Sequence, residues 1–182
     1  MFRFAPKFFI MSLDTTHIKG KPVNLIDDLP EVNQTAFDFT FVKPDLTEGS
    51  LYDYEGKVKV IIALLSLETG VCKREAREFN EMLGKKKGVV GIAISKDLPF
   101  AAKKICETEG IDSIVVGSDY RYTDFTREYN TEMLDGPMKG LSARAVFVVD
   151  KENIIRYVEL TKEISDEPQY DKVLAAVDAL LK

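Results

Sequence analysis

The chain has 182 residues, enough for one domain with a substantial core. Its 25 Lys and Arg against 30 Asp and Glu leave a formal charge of -5, which argues against a nucleic-acid or anionic-membrane partner. Two cysteines are too few for a secreted disulfide scaffold, and the single histidine, His17, argues against a His/Cys metal cluster or a Ser-His-Asp triad; no stretch is long and apolar enough to span a bilayer.

In chain order, residues 1–10 are aromatic and basic with no acid. Their apolar part is too short for a secretory core, so they read either as a targeting or membrane-touching arm or as sequence ahead of a start at Met11. An extension over 1–16 and one domain over 17–182 are expected. Lys19-Gly20-Lys21-Pro22 lies between β-prone segments and predicts a hairpin. Residues 37–42 alternate like a strand, and 53–57 form a turn.

Strands follow near 58–66, 89–95 and 113–117, the first two being continuous apolar runs suited to burial on both faces. Between them Cys72, Ala76, Phe79 and Leu83 share one helical face, with Gly84 able to end that helix. Pro99 can open the next helix, whose face carries Ala102, Ile105 and Cys106 and which stops near Gly110. A short helix is expected from Tyr122 to Tyr129, then a hairpin of 145–149 and 154–158, then a helix striped with Val173, Leu174, Val177, Leu180 and Leu181. This order predicts an α/β fold with a mixed central sheet flanked by helices, as in a thioredoxin-like domain, preceded by an N-terminal β-hairpin.

The stretch Thr69-Gly70-Val71-Cys72 joins the first buried strand to the first helix. A helix start is electropositive and favours the thiolate, the reactive form of cysteine. With Cys106 on the next helix, the pattern suggests reversible thiol chemistry.

The loop from Leu65 to Cys72 resembles the active-site loop of peroxiredoxins, specifically the atypical two-cysteine thiol peroxidases. The segments Ser95-Lys96-Asp97-Leu98-Pro99-Phe100-Ala101, Asp135-Gly136-Pro137-Met138-Lys139-Gly140-Leu141-Ser142-Ala143-Arg144-Ala145 and Glu167-Pro168-Gln169-Tyr170 extend the resemblance from about His17 to Lys182. It implies that Cys72 is the peroxidatic cysteine and Cys106 the resolving one, joined in an intrachain disulfide. It assigns Thr69 as the hydroxyl residue of the loop and Arg144 as the active-site arginine. It further implies a peroxide substrate, thioredoxin as reductant, a homodimer, and no metal or organic cofactor; a cytoplasmic location fits the isolated thiols. Proline usually stands seven residues before the peroxidatic cysteine, and here that position is Leu65, whose side chain is expected to replace the proline's apolar wall.

The chemistry expected is attack of the Cys72 thiolate on a peroxide oxygen to give a sulfenic acid. The N–H groups of Val71 and Cys72 are candidate donors to substrate, Arg144 offers a fork of donors, and the Thr69 hydroxyl can orient peroxide. Lys73, Arg74 and Arg77 read as a solvated face, and Phe79 and Phe100 as core. Two other classes use the same residues: a disulfide oxidoreductase, which usually carries C-x-x-C where this chain has Thr69, and a redox-sensing binding protein that need not turn over.

Overall fold

The computed structural model describes residues 14–182. The arm expected over 1–10, and most of the expected extension, lie outside the described residues.

The first strands, β1 (Thr15–Ile18) and β2 (Lys21–Asn24), form the antiparallel hairpin that the Lys19-Gly20 turn predicts. Lys19 and Gly20 both have positive φ, 52° and 74°, the backbone required by a tight two-residue hairpin turn. Next come β3 (Thr40–Val42), β4 (Glu48–Ser50), a 3₁₀ turn (Leu51–Tyr54) and β5 (Val58–Ala63). The rest follows as α1 (Gly70–Leu83), β6 (Val89–Ser95), α2 (Pro99–Glu109), β7 (Val115–Ser118) and α3 (Asp124–Glu128). The chain closes with β8 (Ala145–Val149), β9 (Ile155–Leu160) and α4 (Tyr170–Leu180).

A seven-stranded sheet runs in the order β4-β3-β7-β6-β5-β8-β9. The pairs β5–β6 and β6–β7 are parallel, and the others are antiparallel, so the sheet is mixed. Strands β5 and β8 are buried along their whole length; β8 is an unbroken apolar run, and the one charged residue of β5, Lys59, donates from its Nζ to Asn153 Oδ1. The crossovers through α1 and α2 step in the same direction across the sheet, so their right-handedness places both helices on one face. Helix α4 joins α1 through Phe79 and Tyr170, whose rings meet edge to face 5.3 Å apart. Among the described residues no helix is long and apolar enough to cross a membrane.

Three local expectations change. The strand expected over 37–42 keeps hydrogen-bonded pairing only from Thr40, because Phe39 turns its carbonyl to the Leu51 N–H and Phe37 turns its own to the Tyr129 hydroxyl. Phe100 is not core: it is 66% exposed, facing away from the buried stripe of Pro99, Ala102 and Ile105. Gly84 does end α1, but with right-handed backbone. A side chain there would collide with Ser113, whose Cβ would lie 2.5 Å from the added Cβ, so close approach demands the glycine. Gly110 does end α2 in the left-handed conformation, at φ 66°.

Candidate active site

Strand β5 delivers the chain into the loop 64–69, and Thr69 caps α1. The Thr69 Oγ1 accepts from the Cys72 N–H at 3.4 Å and donates to the Ser66 carbonyl at 3.0 Å. The hydroxyl proton is therefore committed to Ser66, and its remaining lone pair can only accept. The Cys72 N–H, expected as a substrate donor, is spent on this cap. The N–H groups of Gly70 and half-buried Val71 have no intrahelical acceptor and keep the helix start electropositive.

Cys72 is fully buried on the inner face of α1. Strand β8 starts beside the end of β5, where Ala145 pairs with Ala63, and this brings Arg144 to the same place. Its Nη2 lies 3.5 Å from the Cys72 Sγ. Its Nη1 donates to Glu75 Oε2, and its Nε and Nη2 both donate to the Ile164 carbonyl, at 3.2 and 3.1 Å. A guanidinium has five N–H donors. One hydrogen on Nη1 is left without an acceptor among the described residues.

Glu75 is fully buried, and its Oε1 has no hydrogen-bond partner among the described residues. Burial pushes its carboxyl up to about 7, against the pull of Arg144. The residue was not singled out from sequence. The available signal was its place in the stripe Cys72, Glu75, Ala76, Phe79 and Leu83, where a carboxylate needs a buried partner.

Two further carboxylates hold the site's frame. Asp97, between β6 and α2, accepts from Ser66 Oγ and Leu67 N, both at 2.7 Å, and from Ser95 Oγ at 2.8 Å. The loop leading to Cys72 and the start of the Cys106 helix thus hang from one side chain. Glu163 accepts from the hairpin-turn amides of Lys19 and Gly20, at 2.8 and 2.9 Å, and the Ile164 N–H donates to the His17 carbonyl at 2.9 Å. The N-terminal hairpin thereby braces the segment whose Ile164 carbonyl holds Arg144.

Leu65 is buried just past β5, in the same apolar cluster as Cys72. Cys106 stands apart. It is half-buried on α2, and burial pushes its thiol up. It lines a groove of about 320 Å³ with Lys43, Pro44, Ile111 and Ile114. The cleft between the start of α1 and α2, about 390 Å³, is lined instead by Glu68, Lys73, Lys104, Ile105, Thr108 and Glu109. Both thiols are free. The structure therefore brings Cys72, Thr69 and Arg144 together and leaves Cys106 facing elsewhere. Of the expected solvated face, Arg74 pairs with Glu167 and Arg77 with Glu109 at 2.9 Å. Such exposed pairs contribute little.

The redoxin family model matches residues 31–174. The chain belongs to the redoxin family. This redoxin is 49% identical over 166 residues to a thiol peroxidase of Leptospira interrogans, covering 90% of this chain and 97% of that one. A thiol peroxidase of Aquifex aeolicus is 40% identical over 167 residues, 92% of this chain and 98% of its own. A solved peroxiredoxin-like protein from Aquifex aeolicus superposes with a TM-score of 0.88 at 40% identity, covering 91% of this chain and 96% of that one. A thiol peroxidase structure from Chromobacterium violaceum, with a TM-score of 0.83 at 20% identity over 91% of this chain and 95% of that one, shares the fold. This redoxin is a peroxidase enzyme of the thiol peroxidase kind, built on a thioredoxin-like sheet.

Proposed function

We propose that the enzyme reduces hydrogen peroxide and organic hydroperoxides through a Cys72 sulfenic acid, which Cys106 resolves as an intrachain disulfide and thioredoxin reduces. The observation that carries this reading is the Cys72 sulfur at a capped helix start, 3.5 Å from the buried Arg144 guanidinium. The thiolate attacks the terminal oxygen of the peroxide, an S–O bond forms, the O–O bond breaks, and sulfur gives up two electrons. The free Nη1 hydrogen of Arg144 and the N–H of Val71 donate to the peroxide, and the free lone pair of Thr69 accepts from its O–H. No metal or organic cofactor takes part.

Cys72 has no exposed surface, so a local opening admits the substrate. Disulfide formation needs a larger change, because the two Cα atoms must come within about 7 Å with their side chains facing. Helix α2 is the element that yields. It buries only Pro99, Ala102 and Ile105 and has no side-chain cap. Helix α1 has the Thr69 cap and Asn80, whose Oδ1 accepts from the N–H groups of Asp112, Ser113 and Ile114.

A homodimer and a cytoplasmic location complete the reading, with one domain from 17 to 182. Leu98, Phe100, Tyr120 and Tyr122 are 54%, 66%, 39% and 40% exposed around the joined turns at 95–97 and 118–120, an apolar surface that a second copy would cover. The test is turnover of hydrogen peroxide and cumene hydroperoxide with thioredoxin, thioredoxin reductase and NADPH. Sustained NADPH oxidation supports the reading; a single oxidation without turnover favours a redox sensor.

A further inference from the structure

The buried site contains one cation for two candidate anions. Arg144 is 1% exposed, and Cys72 and Glu75 are fully buried. A low-dielectric interior tolerates charges in pairs and penalises an excess. A thiolate and a carboxylate against one guanidinium would leave one buried negative charge unmatched.

The hydrogen bonds point the same way. A carboxylate that positions an arginine frequently engages the guanidinium fork with both oxygens. Glu75 uses Oε2 alone, and Oε1 is left buried without a partner among the described residues. An orphaned buried acceptor is costly unless something arrives to satisfy it. The groups facing Glu75 are Arg144 at the start of β8, Cys72 on its own helix, Glu159 of β9, Glu167 before α4 and Tyr170 of α4. Arg144 alone favours the carboxylate; burial, Glu167 and Glu159 favour the neutral acid, and the balance lies at about 7.

We propose that Cys72 and Glu75 share a single proton across Arg144, and that Glu75 delivers it to the oxygen that leaves when the peroxide is cleaved. This deepens the reading of Cys72 as nucleophile and rests on it. With the sulfur as thiolate, Glu75 is the neutral acid and the site is electrically balanced. Attack forms the S–O bond and breaks the O–O bond, oxidising sulfur by two electrons and reducing the peroxide. The departing alkoxide or hydroxide takes the proton from Glu75 Oε1 and leaves as alcohol or water. The site then holds a neutral sulfenic acid, the guanidinium and the Glu75 carboxylate, and is balanced again.

Infrared difference spectroscopy on the full chain tests this at pH 8 in a Cys106→Ser background, which stops at the sulfenic acid. A protonated-carboxyl band is expected in the reduced protein, lost in proportion to one equivalent of hydrogen peroxide, and absent from Glu75→Gln and from Cys72→Ser, whose neutral hydroxyl leaves Glu75 ionised. An indicator dye in weak buffer should record no proton uptake during oxidation without Glu75→Gln and one proton per peroxide with it. That variant should also attack about 100-fold more slowly. The proposal is overturned if the reduced protein shows no such band, if the band survives oxidation, or if both proteins take up protons alike. If Glu75→Gln does not fold, the band in the protein that retains Glu75 and its loss on oxidation decide alone. Persistence of peroxide consumption in Cys72→Ser would instead overturn the reading of Cys72 as nucleophile, a separate result.

Discussion

Replacing Arg144 with Gln removes the only cation in contact with Cys72 and Glu75 among the described residues. Breaking a buried ion pair on one side costs about 3–5 kcal/mol, because the other charge is left unmatched. Glu75 can escape that cost by holding a proton, so the loss depends on pH. In the intact site burial raises Glu75 from the ordinary 4.5 to about 7. An acid whose folded value lies above its unfolded value binds more protons when folded. Its stabilisation is complete below 4.5 and is lost as pH rises through about 7. Without Arg144, the main group that lowers Glu75 is gone, its folded value climbs further, and the loss continues. One proton sets a ceiling of about 1.4 kcal/mol per pH unit. Between pH 7 and pH 9 the Arg144→Gln protein should thus lose up to about 2 kcal/mol more than the wild type. Urea unfolding at pH 6, 7, 8 and 9 measures this, with Arg144→Gln/Glu75→Gln as the control that should flatten the pH curve. Parallel curves for wild type and Arg144→Gln, or a double variant that follows the single one, would refute the coupling of these two residues.

Cys106→Ser should leave the first oxidation intact and accumulate sulfenic acid, while peptide mapping of oxidised wild type should find Cys72 and Cys106 linked within one chain; a purely interchain link would contradict the resolving role. Asp97→Ala leaves Ser66, Ser95 and the buried Leu67 N–H without their acceptor. It should destabilise the fold by about 2–4 kcal/mol and slow peroxide attack, and unchanged denaturation and attack rate would show that the loop stands without it. Leu65 lies beyond the β5 ladder, which ends at Ala63, and its N–H makes no hydrogen bond among the described residues, so Leu65→Pro should fold provided that φ there is about -65°. A stiffer loop should speed attack and slow disulfide formation in stopped flow; slower attack in a folded variant would contradict that account.

Local periodicity made much of the fold legible. The positions of Cys72, Ala76, Phe79 and Leu83 identify α1 by spacing alone, and Pro99 with Gly110 brackets α2. Strand β4 escaped because Glu48, Gly49 and Ser50 carry no apolar alternation; it exists as a short edge paired to β3. At the site, the cysteines, Thr69 and Arg144 stand in recognisable motifs. What Glu75, Asp97 and Glu163 hold is not legible, because their partners are distant in sequence. Arg144 lies 69 residues from Glu75, Leu67 lies 30 from Asp97, and Gly20 lies 143 from Glu163. The direction in which Cys106 faces was equally hidden, since a stripe of Ala102, Ile105 and Cys106 fixes a helix face but not which neighbour its edge meets.

The central claim is that Cys72 is the atom that peroxide meets. One equivalent of hydrogen peroxide, added to Cys106→Ser protein in the presence of a sulfenic-acid trap and followed by peptide mass mapping, tests it most directly. The expected result is a single adduct on Cys72, matched to the peroxide consumed, with neither adduct nor consumption in Cys72→Ser. Peroxide consumption that continues in Cys72→Ser, or proceeds in Cys106→Ser without an adduct on Cys72, would contradict it.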